Sequence, residues 1–460
     1  MKQIPNIEKI HESSNTHYKI ENVSVLEDRE EIIKIIQHFE TYQLPRLELL
    51  ETYYANNNYT IHQGQRRKNE DKADHRASHG FASAITGFHV NYLTGIPIRI
   101  EPLEEDDSVG EYINEFNARN DIDAHHSDLA TDLSKYGRAY ELIHYGDETN
   151  VYLSNPYWTI VIYDESIEMK PIAALRFPKV ERGTGAMYVI TLYTNDKIIE
   201  FEPCNLIAEE LVEADVTEHK FGEVPIIEYS HNRHRFGDYE KVLTQIDLYD
   251  AAQSDTANYM TDTNDAVLVI SGDFESSNIE YSKEIDAILL ESGKDIQGRQ
   301  TNVDAKYIYK QYDVAGTEAY KKRIEKDIYK FSKTPNLTAE SFTGHQSGES
   351  KRYMMIDPEQ ERSNKERILT KGFNRRYRMI LNNANFVRDF TQAFDGLKYV
   401  FTPNMPESIK DDLQTFVNAG GRVSNRTLLA QLPFVEDVDK EIENIEVEDY
   451  NWIPSDSERL

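Results

Sequence analysis

The sequence has a single cysteine, Cys204, in 460 residues. One thiol excludes an internal disulfide framework and any cysteine-based zinc cluster. The expected setting is the cytosol, or a particle assembled there. Basic residues are scarce: 51 Lys and Arg stand against 81 Asp and Glu, giving a net charge of −30 and a pI near 4.9. That balance argues against a protein that coats nucleic acid or an anionic membrane, because phosphate binding needs a positive surface. No apolar run approaches the roughly 18 residues of a membrane span. Met1–Ile10 has no apolar core, so no signal peptide is expected. Catalytic motifs are missing too. Gly344–Lys351 (GHQSGESK) lacks the Gly-Lys-Ser/Thr ending of a phosphate-cradling loop. No G-x-S-x-G elbow and no H-E-x-x-H occurs. Neither a cofactor nor a metal is expected, and nothing argues positively for an enzyme.

What is present is a foldable α+β chain of about three structural units. Twenty-nine tyrosines set it apart from a disordered acidic polymer. The first 25 residues read as a loose arm. Ile32, Ile33, Ile36, Phe39, Leu47, Leu50 and Tyr54 then follow helical spacing, with a break or kink at Pro45. Asn56–Ala73 reads as an exposed loop. A helix is expected from about Asp74 to Leu93, stopped by Gly95 and Pro97, and another from Glu111 to Lys135. Short β-branched runs follow: Ala139–His144, Val151–Leu153, Thr159–Tyr163, Ala173–Phe177, Tyr188–Tyr193, Ile198–Phe201 and Val224–Tyr229. They signal antiparallel sheet.

Next comes a long helix with Asp238 as its N-cap and no Pro or Gly from Tyr239 to Ile270. A strand–helix–strand unit spans Val267–Tyr312, and a second helix spans Thr317–Lys333, ending before Pro335. Asn336–Ser350 is small and polar. A long helix from about Lys351 towards Phe386 should kink at Pro358, and an acidic tail closes the chain.

Two histidine pairs invite a metal reading: His75 and His79 beside Asp74, and His231 and His234 beside Asp238. Two histidines without a third ligand are common by accident. Cys204, after a proline at a turn, reads as inert. The helix over Thr317–Lys333 carries Tyr320, Ile324, Ile328 and Phe331 on one apolar stripe. Lys322, Lys326, Lys330 and Lys333 fall on the opposite face. The preceding long helix has a polar stripe of Asp247, Asp250, Ser254, Asn258, Asp262 and Asp265. The bland reading is two solvated faces. The sharper one is a helical hairpin in a ring, its charges crossing between subunits or facing a lumen.

From about Tyr53 to Glu446 the chain resembles the portal proteins of tailed double-stranded DNA phages, of the type found in siphophages of Gram-positive hosts. The matching pieces are Tyr53–Tyr54, YLTGIP at Tyr92–Pro97, YGRAYELIHYGDE at Tyr136–Glu148 and Asn155–Pro156. HKFGEVPIIEY at His219–Tyr229 and FGDYEKVLTQIDLYDAAQSDTANYMTD at Phe236–Asp262 follow. Phe342, Gly344, Ser347–Gly348, FTPNMPES at Phe401–Ser408 and VSNRTLLAQLPFVED at Val423–Asp437 complete the set. After Gly348 the chain has Glu349, Ser350 and Lys351 where the family has small and apolar residues.

The resemblance implies a ring of about twelve copies at a capsid vertex of the virion, assembled in the host cytoplasm. It implies a portal fold with a mixed α/β wing (1–235), a first stem helix (236–266) and a small α/β clip (267–312). A second stem helix (313–335), a tunnel loop (336–350), a long kinked helix returning to the wing (351–404) and a short helical crown with an acidic tail (405–460) would follow. Thr343, Gly344, His345, Gln346 and Ser347 would then face DNA. The implied partners are double-stranded DNA in transit, the terminase large subunit as packaging motor, major capsid and scaffolding proteins, and a head-completion adaptor. Competing readings are a phage metal-dependent nuclease built on Asp74 and His75, and a structural adaptor that does not conduct DNA.

Overall fold

The computed structural model describes residues 12–63, 73–102, 107–146, 148–182, 185–207, 211–262, 267–272, 281–282, 287–291, 304–308, 313–336, 353–388, 396–404, 441–442 and 444–445. Contacts divide the chain into two units. The first is Met1–Leu337 with Met355–Asn404. The second, Thr338–Met354 with Met405–Leu460, has only Tyr353, Met354 and four residues near 441–445 among those described.

The arm is less loose than the sequence suggests. Residues 12–15 form a helical turn and Tyr18–Ile20 form a strand, β1. Ten-residue α1 (Arg29–His38) is capped by the Asp28 carboxylate, which accepts from the Glu30 amide at 2.9 Å. The chain passes through a wide π-type turn at Phe39–Gln43 into α2 (Leu44–Tyr54). Pro45 sits in the first turn of α2, where its missing N–H costs nothing. The break falls upstream of it. A short α3 (Tyr59–His62) follows. The helix expected from Asp74 begins only at Phe81 and runs to Thr94 as α4; residues 73–80 are extended. After β2 (Arg99–Pro102), the single helix expected over Glu111–Lys135 is two, α5 (Asp107–Arg119) and α6 (Ile122–Tyr136). Asp121, at φ 46°, breaks them apart.

The expected strands, together with two that were not expected (Lys179–Arg182 and Glu213–Glu218), form three sheets, and Lys179–Arg182 pairs with Gly185–Tyr188 in a separate two-stranded sheet. The strands are β3 (Arg138–Tyr145), β4 (Thr149–Ser154), β5 (Thr159–Asp164), β6 (Pro171–Arg176), β7 (Lys179–Arg182), β8 (Gly185–Tyr188), β9 (Thr191–Tyr193), β10 (Lys197–Phe201), β11 (Glu213–Glu218) and β12 (Ile226–Ser230). The run Tyr188–Tyr193 is thus split. A six-stranded sheet has the order β1-β5-β6-β9-β10-β11, and a three-stranded sheet the order β12-β3-β4. Pairing is antiparallel except at β1, which lies parallel to β5. Tyr140, Val161, Ala174, Tyr193, Val224 and Ile226 form an apolar cluster drawn from both sheets.

The chain then enters α7 (Leu243–Asp262). Strands β13 (Val267–Gly272), β14 (Tyr281–Ser282), β15 (Ala287–Glu291) and β16 (Asp304–Ile308) make a separate sheet, ordered β14-β15-β13-β16, with β13 and β15 parallel. The helix expected within this unit lies outside the described residues. Helix α8 (Val314–Phe331) returns, and its N-cap Asp313 accepts from the Gly316 amide. In place of a kink at Pro358 there is a turn at Met355; 33-residue α9 (Ile356–Arg388) starts after it. Strand β17 (Leu397–Val400) then pairs with β2.

Helix α9 lies against β12 because Gly372 leaves room for Tyr229: a Cβ there would sit 2.0 Å from the ring. This approach buries Arg376 against Glu141 of β3, Nε to Oε1 2.6 Å. Tyr229 donates to Oε2 of the same carboxylate at 2.6 Å, and His125 approaches Oε1 at 3.1 Å. Arg376 also donates to His126 Nε2 at 2.8 Å and lies over the Phe373 ring. Burial alone would raise the Glu141 carboxyl, but Arg376 and His125 hold it down at about 2.

A carboxyl depressed from 4.5 adds stability above its unfolded-state value and loses it as pH falls towards 2. Glu141→Gln leaves Arg376 buried without its anion and should cost about 3–5 kcal/mol at pH 7. In denaturant titrations the gap between wild type and variant should narrow steadily below about pH 4. A gap that does not change with pH would contradict the pairing.

Candidate functional site

The polar stripe of α7 is not a solvated face. Asp250, Ser254 and Asn258 are fully buried, and each accepts a backbone amide from the extended segment 73–80. His79 N–H donates to Asp250 Oδ1 at 3.1 Å, Ala77 N–H to Ser254 Oγ at 2.9 Å and His75 N–H to Asn258 Oδ1 at 2.6 Å. The match is metric. Four residues of helix rise about 6 Å, and two residues of extended chain span about 6.6 Å. Side chains spaced i, i+4, i+8 therefore meet alternate amides of a strap running the other way. The ladder continues outward. Asn58 donates to Asp250 Oδ2, and Asp247 accepts from Tyr53 at 2.7 Å and Thr60 at 2.8 Å. Burial raises the Asp247 carboxyl despite these donors.

This corrects three expectations. Asp247 and Asp250 do not present a charged face to a lumen or a neighbour; they tie α7 to its own chain. His75 and His79 do not share a helix face, so the metal reading of that pair loses its premise: the His75 ring meets Thr261 and the His79 ring meets Asp250. Asp238 does not cap α7, which follows a short helical turn at Glu240–Val242 with Tyr239 at its cap position.

Asp238 lies instead in a buried joint. Its Oδ2 accepts from Lys365 Nζ at 2.7 Å and from the Ser134 hydroxyl at 2.6 Å. Its Oδ1 lies 3.2 Å from His231 Nε2, which is 3.4 Å from Glu361 Oε1. Lys333 pairs with the outer oxygen of Glu361 at 2.5 Å. Burial opposes charge on His231, yet Asp238 and Glu361 raise its pKa overall. Hydrogen bonding from His231 leads the causes that lower Glu361 to about 2.

His231, Asp238 and Glu361 have metal-ligand spacing, with one atom of each within 4.8 Å of the others. The two ammonium groups, however, balance both carboxylates without an ion. His234 takes no part; it is exposed and stacks on Phe236. Glu361 and Lys365 come from α9, and nothing local in the sequence pointed to them. Thr334 and the Ser332 carbonyl, just beyond α8, meet buried His89 of α4. Burial lowers His89 to about 4 and keeps it neutral. The joint thus links the end of α8, the approach to α7, α4, α6 and α9.

Lys322, Lys326 and Lys330 are exposed on α8, while Ile324 and Ile328 are buried. Lys333 falls outside this stripe. It follows the helix end, at φ 55°, and is tied to Glu361. Tyr320 and Phe331, expected to pack inward, are 50% and 52% exposed. Cys204 is buried, and its backbone pairs with Tyr188. The side chain of Asp262, and all of Asp265, Thr343, Gly344, His345, Gln346 and Ser347, lie outside the described residues.

Two long helices flanking a small sheet in sequence, anchored to a mixed α/β body by buried polar ties, define a scaffold. The sequence matches the family described as "Phage portal protein, SPP1 Gp6-like" over residues 33–452. The chain belongs to this phage portal family, whose members form the channel at one capsid vertex for packaging, retention and release of double-stranded DNA. It is 23% identical to the portal protein of Clostridium phage phiCD119 over 426 residues, covering 86% of this chain and 91% of that one. It is 23% identical to the portal protein of Bacillus phage SPP1 over 408 residues, covering 84% and 78%. Among solved structures it is similar to a chain from the neck of an empty GTA particle, with TM-score 0.48, 11% identity, and 84% and 94% of the two chains covered. A chain from the virion of a native gene transfer agent particle gives TM-score 0.45, 11% identity, and 84% and 93% coverage.

Asp250→Ala removes the acceptor of the His79 amide and of the Asn58 side-chain amide and should cost about 2–6 kcal/mol, at roughly 1–3 kcal/mol per orphaned buried group. Lys326→Ala, on the exposed face, should stay within about 0.5 kcal/mol of wild type. Chemical denaturation of the two variants checks this; equal losses would contradict the inward-facing ladder.

Proposed function

We propose that α7 and α8 form the stem hairpin of the portal ring, that β13–β16 form the clip, and that Lys322, Lys326 and Lys330 face the DNA lumen. The observation that carries this is the charge sorting between the two helices. The acids of α7 at 247 and 250 are spent on ties within the chain. The three lysines of α8 project into solvent on one face. In a chain of net charge −30, general repulsion keeps the phosphate backbone from adhering. A few ammonium groups at one level centre the duplex. Each phosphate they neutralise adds salt-dependent affinity, so a sparse basic stripe guides DNA where a dense one would trap it.

The clip would receive the packaging motor, the terminase large subunit, and later the head-completion adaptor. The wing, residues 1–235, would meet the major capsid and scaffolding proteins. Residues 336–350 lie between Pro335 and α9 in sequence, and Thr343–Ser347 would reach DNA as a tunnel loop through backbone and uncharged groups. ATP turnover belongs to the motor.

A triple Lys322→Gln, Lys326→Gln, Lys330→Gln variant should assemble rings indistinguishable from wild type by native mass spectrometry. Filled capsids carrying it should package or retain less DNA, by several-fold, with a weaker response to salt. A Lys179→Gln, Lys197→Gln control on the wing strands should behave as wild type. Normal packaging and retention by the triple variant would refute the lumen assignment.

A further inference from the structure

Three buried arginines meet where the start of the chain crosses the body. Arg46 of α2, Arg138 at the start of β3 and Arg235 in the loop after β12 are each at most 3% exposed. Arg46 Nη2 donates to the Arg235 carbonyl at 2.9 Å, and Arg235 Nη2 donates to the Tyr140 hydroxyl at 2.9 Å. Two carboxylates serve the three. Glu240 takes Nε and Nη2 of Arg46 at 2.8 and 2.6 Å. Glu228 Oε1 lies 3.0 Å from Arg235 Nε. No carboxylate among the described residues pairs with Arg138. Its Nη1 donates to Gln43 Oε1 at 2.6 Å, but its buried Nε and Nη2 have no partner. His17, with Nδ1 3.8 Å from Glu228 Oε1, adds no charge at neutral pH, because burial lowers its pKa.

The imbalance shows in the guanidinium groups themselves. Burial opposes charge on Arg235, yet Glu228 raises its pKa overall. Burial, with Arg235 and Arg46 close by, lowers Arg138 to about 10. A water molecule can take a hydrogen bond from Arg138 but cannot balance its charge, and a buried charge without a counter-charge is costly.

The free groups have a definite chemistry. Nε and Nη2 form one edge of the guanidinium fork, two parallel donors that match two oxygens of a single oxyanion. The β3–β12 register pairs Arg138 with Ser230 and Tyr140 with Glu228. Arg138 and Glu228 are therefore diagonal neighbours on one face of the sheet, about 7–8 Å apart. Glu228 Oε2 is also buried and without a partner. An unpaired double donor and an unpaired acceptor thus stand over the same patch of sheet. Together they fit a tetrahedral oxyanion that still carries a proton. Phosphate keeps at least one proton near neutral pH, whereas sulfate keeps none.

We propose that Arg138 and Glu228 bind one inorganic phosphate, two of its oxygens accepting from Arg138 Nε and Nη2 and its hydroxyl donating to Glu228 Oε2. The site lies within one chain. Its ligand would tie the segment around residues 16–17 and Gln43, which bonds both Arg138 and the Thr16 carbonyl, to β3 and β12.

Equilibrium dialysis of the full chain against radiolabelled phosphate, in chloride buffer of fixed ionic strength at pH 7, tests the site. Wild type should bind saturably, one phosphate per chain. Its melting temperature should rise with the logarithm of phosphate concentration, as for a ligand of the native state. Sulfate should bind more weakly by about ten-fold or more, for want of a proton to give Glu228. Arg138→Lys keeps the charge but loses the two-donor edge, and should lower phosphate affinity by about ten-fold or more. Arg138→Met should abolish saturable binding. Arg233→Gln, an exposed arginine of the neighbouring loop, should match wild type. General exclusion of phosphate from the surface stabilises all variants alike. No saturable binding at millimolar phosphate by wild type overturns the site. Binding that persists in Arg138→Met marks an adventitious ion only and overturns it as well. Sulfate binding as tight as phosphate overturns the part given to Glu228. If the Arg138 variants fail to fold, the wild-type stoichiometry and the phosphate–sulfate comparison still decide.

Discussion

The amides of residues 75, 77 and 79 have to find acceptors once their segment is pressed against the body, and α7 supplies them from its side chains. A buried, unpaired amide costs about as much as a lost hydrogen bond. The ladder of Asn258, Ser254 and Asp250 therefore fixes the rotation of α7 about its own axis. Once that rotation is set, the remaining faces have no freedom. Ile246 and Leu243 point into the main apolar cluster with Ile324 and Ile328 of α8, and Leu248 is left outside. What the hairpin offers to solvent follows from three hydrogen bonds made on its hidden side.

The same logic governs charge. A net −30 suggests an acid-covered molecule, yet several acids are buried and spent locally. Glu141 balances Arg376, Asp238 balances Lys365, and Asp250 anchors the strap. Such pairs contribute little net stability compared with apolar packing, but removing one partner is costly, so they specify geometry strongly. They sit where elements distant in sequence must meet: β3 with α9, the approach to α7 with α9, and the strap with α7.

Much of the architecture was legible in the sequence. The strand runs from Ala139 to Tyr229, the two helices flanking residues 267–312 and the ordered motif pieces all carried clear periodicity. The alternation Ile324–Ile328 against Lys322–Lys326–Lys330 separates a buried from an exposed face of α8, though Lys333 falls off the stripe. What failed was the meaning of polar residues. A polar stripe on a helix reads as solvated, and only the tertiary approach of an extended strap converts Asp250, Ser254 and Asn258 into buried acceptors. The strap itself was taken for helix, since His75 and His79 have helical spacing and no Pro or Gly interrupts them. β11 was missed because Glu213–Glu218 is an exposed, acidic edge whose only apolar members are Ala214 and Val216. The Asp238 joint was invisible because its partners Glu361 and Lys365 lie more than a hundred residues away. One hint went unused: Gly372 in the middle of a long helix marks close approach, here to the Tyr229 ring.

The central claim is that the inward ties of α7 dictate the faces of the stem, leaving the α8 lysines for the lumen. A cryo-electron microscopy reconstruction of the assembled ring measures this directly. The account predicts Lys322, Lys326 and Lys330 on the channel wall, with Asp250, Ser254 and Asn258 still holding residues 75–79. Lysines on the outer surface, or Asp250 turned to the channel, would contradict it.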